Sequence, residues 1–361
     1  MSEMKAWVYD LERNPDSDLH LYLETRPIPR PGPGDILLKV QKASVCGTDE
    51  MLFSGNLRRA RNGIIPGHEF CGEIVEVGST AEGFSIGEVI AGESHYGQNG
   101  IEEEGVIGLW PPKLKGGGEG RVIEGAYAEY VCIPAECAHR IPRNLSDGQF
   151  WPSLFEPAGN DFLLARLVVD EMTSESVGVF GCGPHGLYVQ VFLRHFGLQR
   201  LVAFETDAYR RRFAREMGCV DQALDPRHDN SEVGPFDATL DMVGKQGQAF
   251  RQCCDLTRDR GSVMLFGLFH KDFEIGGRPA NELIFGRKSV EIEHHGKRLH
   301  VVGVTGREGI WPELIQTVAS SSELQASLMK PVEVVGPLDR LAEEIRRNKP
   351  QTLKRAFWKF D

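Results

Sequence analysis

The chain is 361 residues long with a formal net charge of −11 and 41% hydrophobic residues, more than one hydrophobic core usually serves, so two domains are expected. The acidic balance opposes a polyphosphate partner, no run reaches the ~18 consecutive apolar residues of a membrane span, and Met1-Ser2-Glu3-Met4-Lys5 has no basic region ahead of an apolar stretch. Nucleic acid and membrane are therefore not expected partners, a cytoplasmic location is expected, and the eight scattered cysteines read as reduced thiols rather than a disulfide framework.

In chain order, the first part consists of short β-rich runs punctuated by glycine and proline, at Ile36 to Val40, Cys71 to Val77 and Ala126 to Pro134. From about Ser176 the pattern becomes apolar strand (Val177 to Phe180), glycine turn (Gly181 to Gly186), helix (Leu187 to Phe196) and strand (Leu201 to Phe204). This is a βαβ unit, and it implies a parallel sheet. Strand-like runs at Ala238 to Met242 and Ser262 to Phe266, separated by a helical stretch from Gln246 to Leu256, continue that reading. Helical spacing returns at Trp311 to Ser320 and Leu338 to Arg347. The fold class expected is α/β, a β-rich domain at 1–156 and 300–361 and a doubly wound Rossmann domain at 157–299.

Gly181-Cys182-Gly183-Pro184-His185-Gly186 fits G-x-G-x-x-G, with a strand before it and a helix after it. The three glycines serve a tight turn, close approach to a pyrophosphate, and helix-on-strand packing; the helix start then offers N–H groups to the phosphates. Pro184 and His185 fall at that start. Glu205 ends the next strand, 19 residues beyond Gly186, where a carboxylate accepts hydrogen bonds from ribose hydroxyls and repels a 2′-phosphate. NAD is expected over NADP, with Arg210 and its neighbours Arg211 and Arg212 pulling the other way.

In the β domain Cys46-Gly47-Thr48-Asp49 is followed, 22 residues after Cys46, by Gly67-His68-Glu69. Thiolate, imidazole and carboxylate are ligand types that zinc uses; packed core residues are the alternative reading of an isolated Cys and His.

These segments, with Pro66-Gly-His-Glu-Phe, Gly125-Ala-Tyr-Ala-Glu-Tyr, the glycine turn and Gly303-Val-Thr-Gly-Arg, resemble the zinc-dependent medium-chain dehydrogenases, especially the threonine 3-dehydrogenase and sorbitol dehydrogenase branch. The resemblance runs from about Met4 to the end of the chain. It implies a GroES-like catalytic domain beside the Rossmann domain, and a catalytic zinc held by Cys46, His68 and Glu69, with Glu156 as a further, exchangeable ligand. His68 and Glu69 reach one ion only if the backbone turns at Pro66-Gly67, since strand neighbours face opposite ways. Asp49 would accept a hydrogen bond from His68 and fix its tautomer, and would also serve as a helix cap.

Two departures stand out. Between Gly92 and Gly125 there is no cysteine, so the four-cysteine structural zinc of many relatives is not expected. One zinc per chain follows, with residues 93–124 as a loop bordering substrate, bordering a subunit contact, or mobile at the surface. The histidine that relatives place five residues after the cysteine ligand is Met51 here, and His95 is the expected replacement in the proton path, an ordinary structural histidine being the alternative. By the same resemblance, zinc acts as Lewis acid on the substrate oxygen, Thr48 hands its proton toward solvent through ribose and His95, and hydride passes to NAD. The expected substrate is a small polar secondary alcohol or ketone: polyol, sugar, cyclitol or amino alcohol. A homodimer or homotetramer is expected. A zinc-free quinone or enoyl reductase and a non-catalytic NAD-binding protein are the alternatives.

Overall fold

The structure, a computed structural model, describes residues 2–57, 59–97, 101–146, 148–228, 230–306, 309–347 and 351–361. Arg307 of the Gly303 motif and residues 98–100 lie outside them. The chain forms two compact units: Met1–Pro157 with Ile315–Ser320 and Val332–Asp361, and Ala158–Leu314 with Ser321–Pro331.

The chain starts with the antiparallel pair β1 (Glu3–Tyr9) and β2 (Leu21–Pro27). There follow β3 (Asp35–Ser44), the short helix α1 (Gly47–Phe53), β4 (Glu69–Val77), β5 (Val89–Gly92), β6 (Tyr130–Pro134) and β7 (Ala138–Arg140). Ile36, Leu38 and Val40 of β3 and Phe70 and Ile74 of β4 form the centre of its core with Phe53 and Tyr127. Strand β6 starts at Tyr130 rather than Ala126, because Ala126 and Tyr127 give their backbone N–H groups to the Gly67 and Pro66 carbonyls instead of a ladder. Residues 93–124 are more built than a loop. His95–Tyr96 pairs with Gly105–Val106, Ile101–Glu103 pairs with Lys113–Leu114, and Val106, Ile107, Leu109 and Ile123 are buried in the core. Their apolar burial holds the segment against the core.

Helix α2 (Phe155–Arg166) precedes the second unit's sheet. Its strands are β8 (Ser176–Phe180), β9 (Arg200–Phe204), β10 (Gln222–Leu224), β11 (Phe236–Asp241), β12 (Thr257–Leu265), β13 (Ser289–His294) and β14 (Lys297–Gly303), interleaved with α3 (Pro184–His195), α4 (Ala208–Met217) and α5 (Gln248–Leu256). The order β10-β9-β8-β11-β12-β14-β13 is parallel except for the last, antiparallel pair. The first six follow the 3-2-1-4-5-6 order of dinucleotide-binding sheets. Val177 to Phe180 and Leu201 to Phe204 are continuous buried runs, as strands covered on both faces require. Asp207 caps α4 by accepting the Arg210 N–H at 2.8 Å, and Gly218 ends it at φ +77°. Strand β14 carries the sheet to Gly303, past the expected limit at 299.

Helix α6 (Trp311–Ala319) then leads to β15 (Val332–Pro337), a 3-10 turn at Leu338–Arg340, α7 (Leu341–Arg347) and β16 (Lys354–Trp358). β16 pairs antiparallel with the end of β3, completing the first unit's sheet in the order β7-β5-β4-β3-β16-β15, with β6 on the first half of β3. Among the described residues no helix is long and apolar enough to cross a membrane.

Candidate functional site

Three ligand types converge in the first unit. The Cys46 thiol, a His68 ring nitrogen and a Glu69 carboxylate oxygen lie within 4.8 Å of one another. Cys46 sits where β3 gives way to α1, and Glu69 opens β4 directly opposite Ser44 of β3. The turn that brings His68 alongside depends on Gly67. Its φ is +102°, and a Cβ there would stand 2.7 Å from the Tyr127 ring, so only glycine fits.

Asp49, fully buried, ties the cluster together. One carboxylate oxygen accepts the Cys46 N–H at 2.9 Å and the Tyr127 hydroxyl at 2.7 Å; the other lies 3.3 Å from Nδ1 of His68. Asp49 thus sits at the third residue of α1 and caps from within the first turn. Burial works against a charged His68, but Asp49 and then Cys46 outweigh it and hold the imidazole well above the ordinary histidine range.

Sequence reasoning missed Lys354. From β16, 285 residues away, its ammonium reaches Glu69 at 2.6 Å and 2.5 Å to the two carboxylate oxygens, with both side chains buried. Burial pushes the Glu69 carboxyl up against the pull of Lys354, with Cys46 and Glu156 adding to the push. Burial lowers the Lys354 pKa, and Glu69 and Cys46 more than restore it. Sulfur, nitrogen and oxygen donors crowded in a dry pocket beside a buried lysine form a donor set that fits zinc.

Glu156 is buried, and the Ser94 hydroxyl donates to its Oε1 at 2.5 Å. It stands outside the group of three whose ligand atoms share 4.8 Å. His95 is half-buried with Nδ1 3.2 Å from Ser94 Oγ, and Thr48 Oγ1 accepts from the Cys46 thiol at 3.7 Å. Met51 is exposed. The only other such grouping among the described residues, Asp255, His294 and His295, faces solvent, with His294 Nε2 2.7 Å from Asp255 Oδ1.

In the second unit the glycine turn closes tightly. Gly181 has φ +102°, and a Cβ on Gly186 would meet the Gly181 carbonyl oxygen at 1.9 Å. Gly183 caps α3, with Pro184 as its first residue. The buried Glu205 accepts the Cys182 N–H at 2.8 Å and the Asp207 N–H at 2.9 Å, so it braces the turn from the end of β9. A cavity of about 200 Å³ adjoins Gly181, Glu205, Thr206, Val243 and Lys245. Arg210 is held at the third position of α4 by its backbone bond to Asp207.

Residues 32–143 match the alcohol dehydrogenase GroES-like domain, and residues 184–320 match the zinc-binding dehydrogenase domain. L-threonine 3-dehydrogenase of Enterobacter sp. (strain 638) is 30% identical over 84% of this chain and 87% of its own length; that of Deinococcus deserti is 30% identical over 86% and 88%. Among solved structures, 2R,3R-butanediol dehydrogenase from Bacillus subtilis superposes with a TM-score of 0.75 at 23% identity, covering 98% of this chain and 99% of that one. A zinc-binding dehydrogenase from Sinorhizobium meliloti 1021, bound to NADP, gives 0.76 at 22% identity, covering 99% and 100%. The chain belongs to the alcohol dehydrogenases of the medium-chain dehydrogenase/reductase superfamily, oxidoreductases built from a GroES-like and a Rossmann-type domain.

Proposed function

We propose that the protein is a zinc-dependent dehydrogenase that transfers hydride between a small polar secondary alcohol and NAD. The observation that carries this reading is the grouping of Cys46, His68 and Glu69 within 4.8 Å, braced by the buried Asp49. In it Cys46, His68 and Glu69 hold one zinc per chain, and Glu156, released from Ser94, is an exchangeable fourth ligand. Bound zinc supplies a Lewis acid that lowers the proton affinity of the alcohol, and the nicotinamide supplies the hydride acceptor.

The remaining work falls to side chains. Asp49 fixes the orientation of His68. Thr48, beside the thiol, takes a hydrogen bond from the alcohol and moves its proton on, and His95 delivers that proton to solvent. Gly181, Gly183, Pro184 and Gly186 seat the diphosphate, and His185, one residue into the helix, belongs to the same cofactor site. Glu205 disfavours a 2′-phosphate, which gives the preference for NAD, and Arg210 lies near enough in sequence to temper it. The proposed shell of one thiolate with carboxylates, and the names of L-threonine 3-dehydrogenase and 2R,3R-butanediol dehydrogenase among similar proteins, support testing amino alcohols and diols first, with polyols, sugars and cyclitols next. The assembly is a homodimer or homotetramer.

The test is a panel of amino alcohols, diols and polyols assayed with NAD and NADP side by side, on wild type and Cys46→Ser. Oxidation with NAD that drops at least ~100-fold in the variant is expected, the scale on which removing electrostatic stabilisation acts. Turnover untouched by Cys46→Ser favours the zinc-free reductase. NAD binding without turnover of any class favours a non-catalytic role.

A further inference from the structure

We infer that Asp161 and His185 form a dyad that binds the nicotinamide nucleoside half of the dinucleotide, an inference that rests on the dinucleotide-binding reading of the glycine turn. His185 is the second residue of α3, and its Nδ1 stands 2.9 Å from Oδ2 of Asp161 on α2. Asp161 is wholly buried, whereas the His185 side chain is 29% exposed. A carboxylate that far from water needs a strong partner. With Nδ1 committed to Asp161, recognition by the imidazole runs through Nε2.

The direction of the side chain selects which half of the dinucleotide it meets. In this strand order the diphosphate lies at the start of α3, above β8, and the two nucleosides extend to either side across the carboxyl ends of the strands. Glu205, at the end of β9, marks the adenosine side. The His185 ring instead packs 4.9 Å from the ring of Phe266, the residue after β12, two strands away on the other side of β8. An imidazole seated there, with its tautomer fixed by a buried carboxylate, is placed to hydrogen-bond the ribose hydroxyls or the carboxamide of the nicotinamide nucleoside. A histidine whose task was only to start the helix would need neither the buried aspartate nor the aromatic rest.

The experiment is calorimetric titration of the zinc-loaded full chain with NADH and, separately, with ADP, which keeps both phosphates and adenosine but lacks the second nucleoside. His185→Ala is expected to weaken NADH about three- to tenfold, the range of one hydrogen bond, and to leave ADP within about twofold. His185→Gln, which restores a polar group where Nε2 stood, recovers part of the loss. Asp161→Asn weakens NADH in the same way, and adding it to His185→Ala causes no further loss, because the two act as one unit. Unchanged NADH binding in His185→Ala, or equal losses for NADH and ADP, overturns the assignment. A wild-type chain that binds neither NADH, NADPH nor ADP instead refutes the dinucleotide reading beneath it.

Discussion

Replacing Lys354 by methionine removes the cation that contacts the buried Glu69 carboxyl directly, while keeping most of the side-chain volume. At 2.6 Å an opposite pair is worth about 6 kcal/mol at an effective dielectric constant of about 20. Desolvation of the two ions consumes much of that, so the pair itself adds little net stability. Its removal from one side is another matter: the Glu69 carboxyl, already pushed up by burial, must stay charged without the lysine or take up a proton, at a cost of about 3–5 kcal/mol. Urea denaturation of chelator-treated protein should therefore place Lys354→Met about 3–5 kcal/mol below wild type. The double variant Lys354→Met/Glu69→Gln, which removes both charges, should recover more than half of that. Adding zinc should narrow the gap for the single variant, because the metal then takes over the carboxylate. A loss under about 1 kcal/mol in the metal-free single variant, or a double variant no more stable than the single one, would refute this electrostatic account.

Three further outcomes follow from the geometry. Gly67→Ala forces a Cβ into the Tyr127 ring at φ +102° and should cost about 2–4 kcal/mol in thermal or chemical unfolding; a neutral effect would mean that the turn carrying His68 is not the one described. Glu205→Ala should reduce the ratio of NAD to NADP efficiency by about tenfold, one unit of differential interaction, and an unchanged ratio would remove Glu205 from cofactor choice. The Asp237 carboxyl is raised by burial, but its bonds from Ser176, Glu175 and Arg258 outweigh this and hold it below its usual value of 3.8. The stability it confers is present above that value and is lost as pH falls through the lower folded-state value. The gap in unfolding midpoint between wild type and Asp237→Asn should thus be constant from pH 7 to about 5 and close below about 4; a gap that widens in acid would contradict it.

What was legible in the sequence is what local patterning encodes. The βαβ unit around Gly181 stood out because strands buried on both faces are uninterrupted apolar runs, and the turn between them needs glycine at fixed positions. Cys46, His68, Glu69 and Asp49 were named from short motifs read through a family resemblance, the spacing alone being a weak signal, and the fold brings these four side chains together. Lys354 gave no such signal. A lone lysine in Leu353-Lys354-Arg355 looks like any surface residue until the last strand pairs with β3 and carries it against Glu69. Asp161 was missed for the same reason, since its partner His185 lies 24 residues away on another helix. Ser94 and its grip on Glu156 likewise exist only after β5 and α2 are in place. Residues 93–124 were read as a loop because their glycines and charges dominate the composition, while the anchors Val106, Ile107, Leu109 and Ile123 follow no helical or strand period. Strand β14 ran past 299 because the end of a parallel sheet is set by its pairing with β12, not by a local stop signal.

The most direct test of the metal reading is X-ray absorption at the zinc edge of protein purified after zinc-replete expression, with the metal content measured on the same sample. About one zinc per chain is expected, with a single sulfur at about 2.3 Å and nitrogen or oxygen neighbours at about 2.0–2.2 Å. A zinc shell without sulfur or with several sulfurs, or a folded chain that retains almost no zinc, would contradict it.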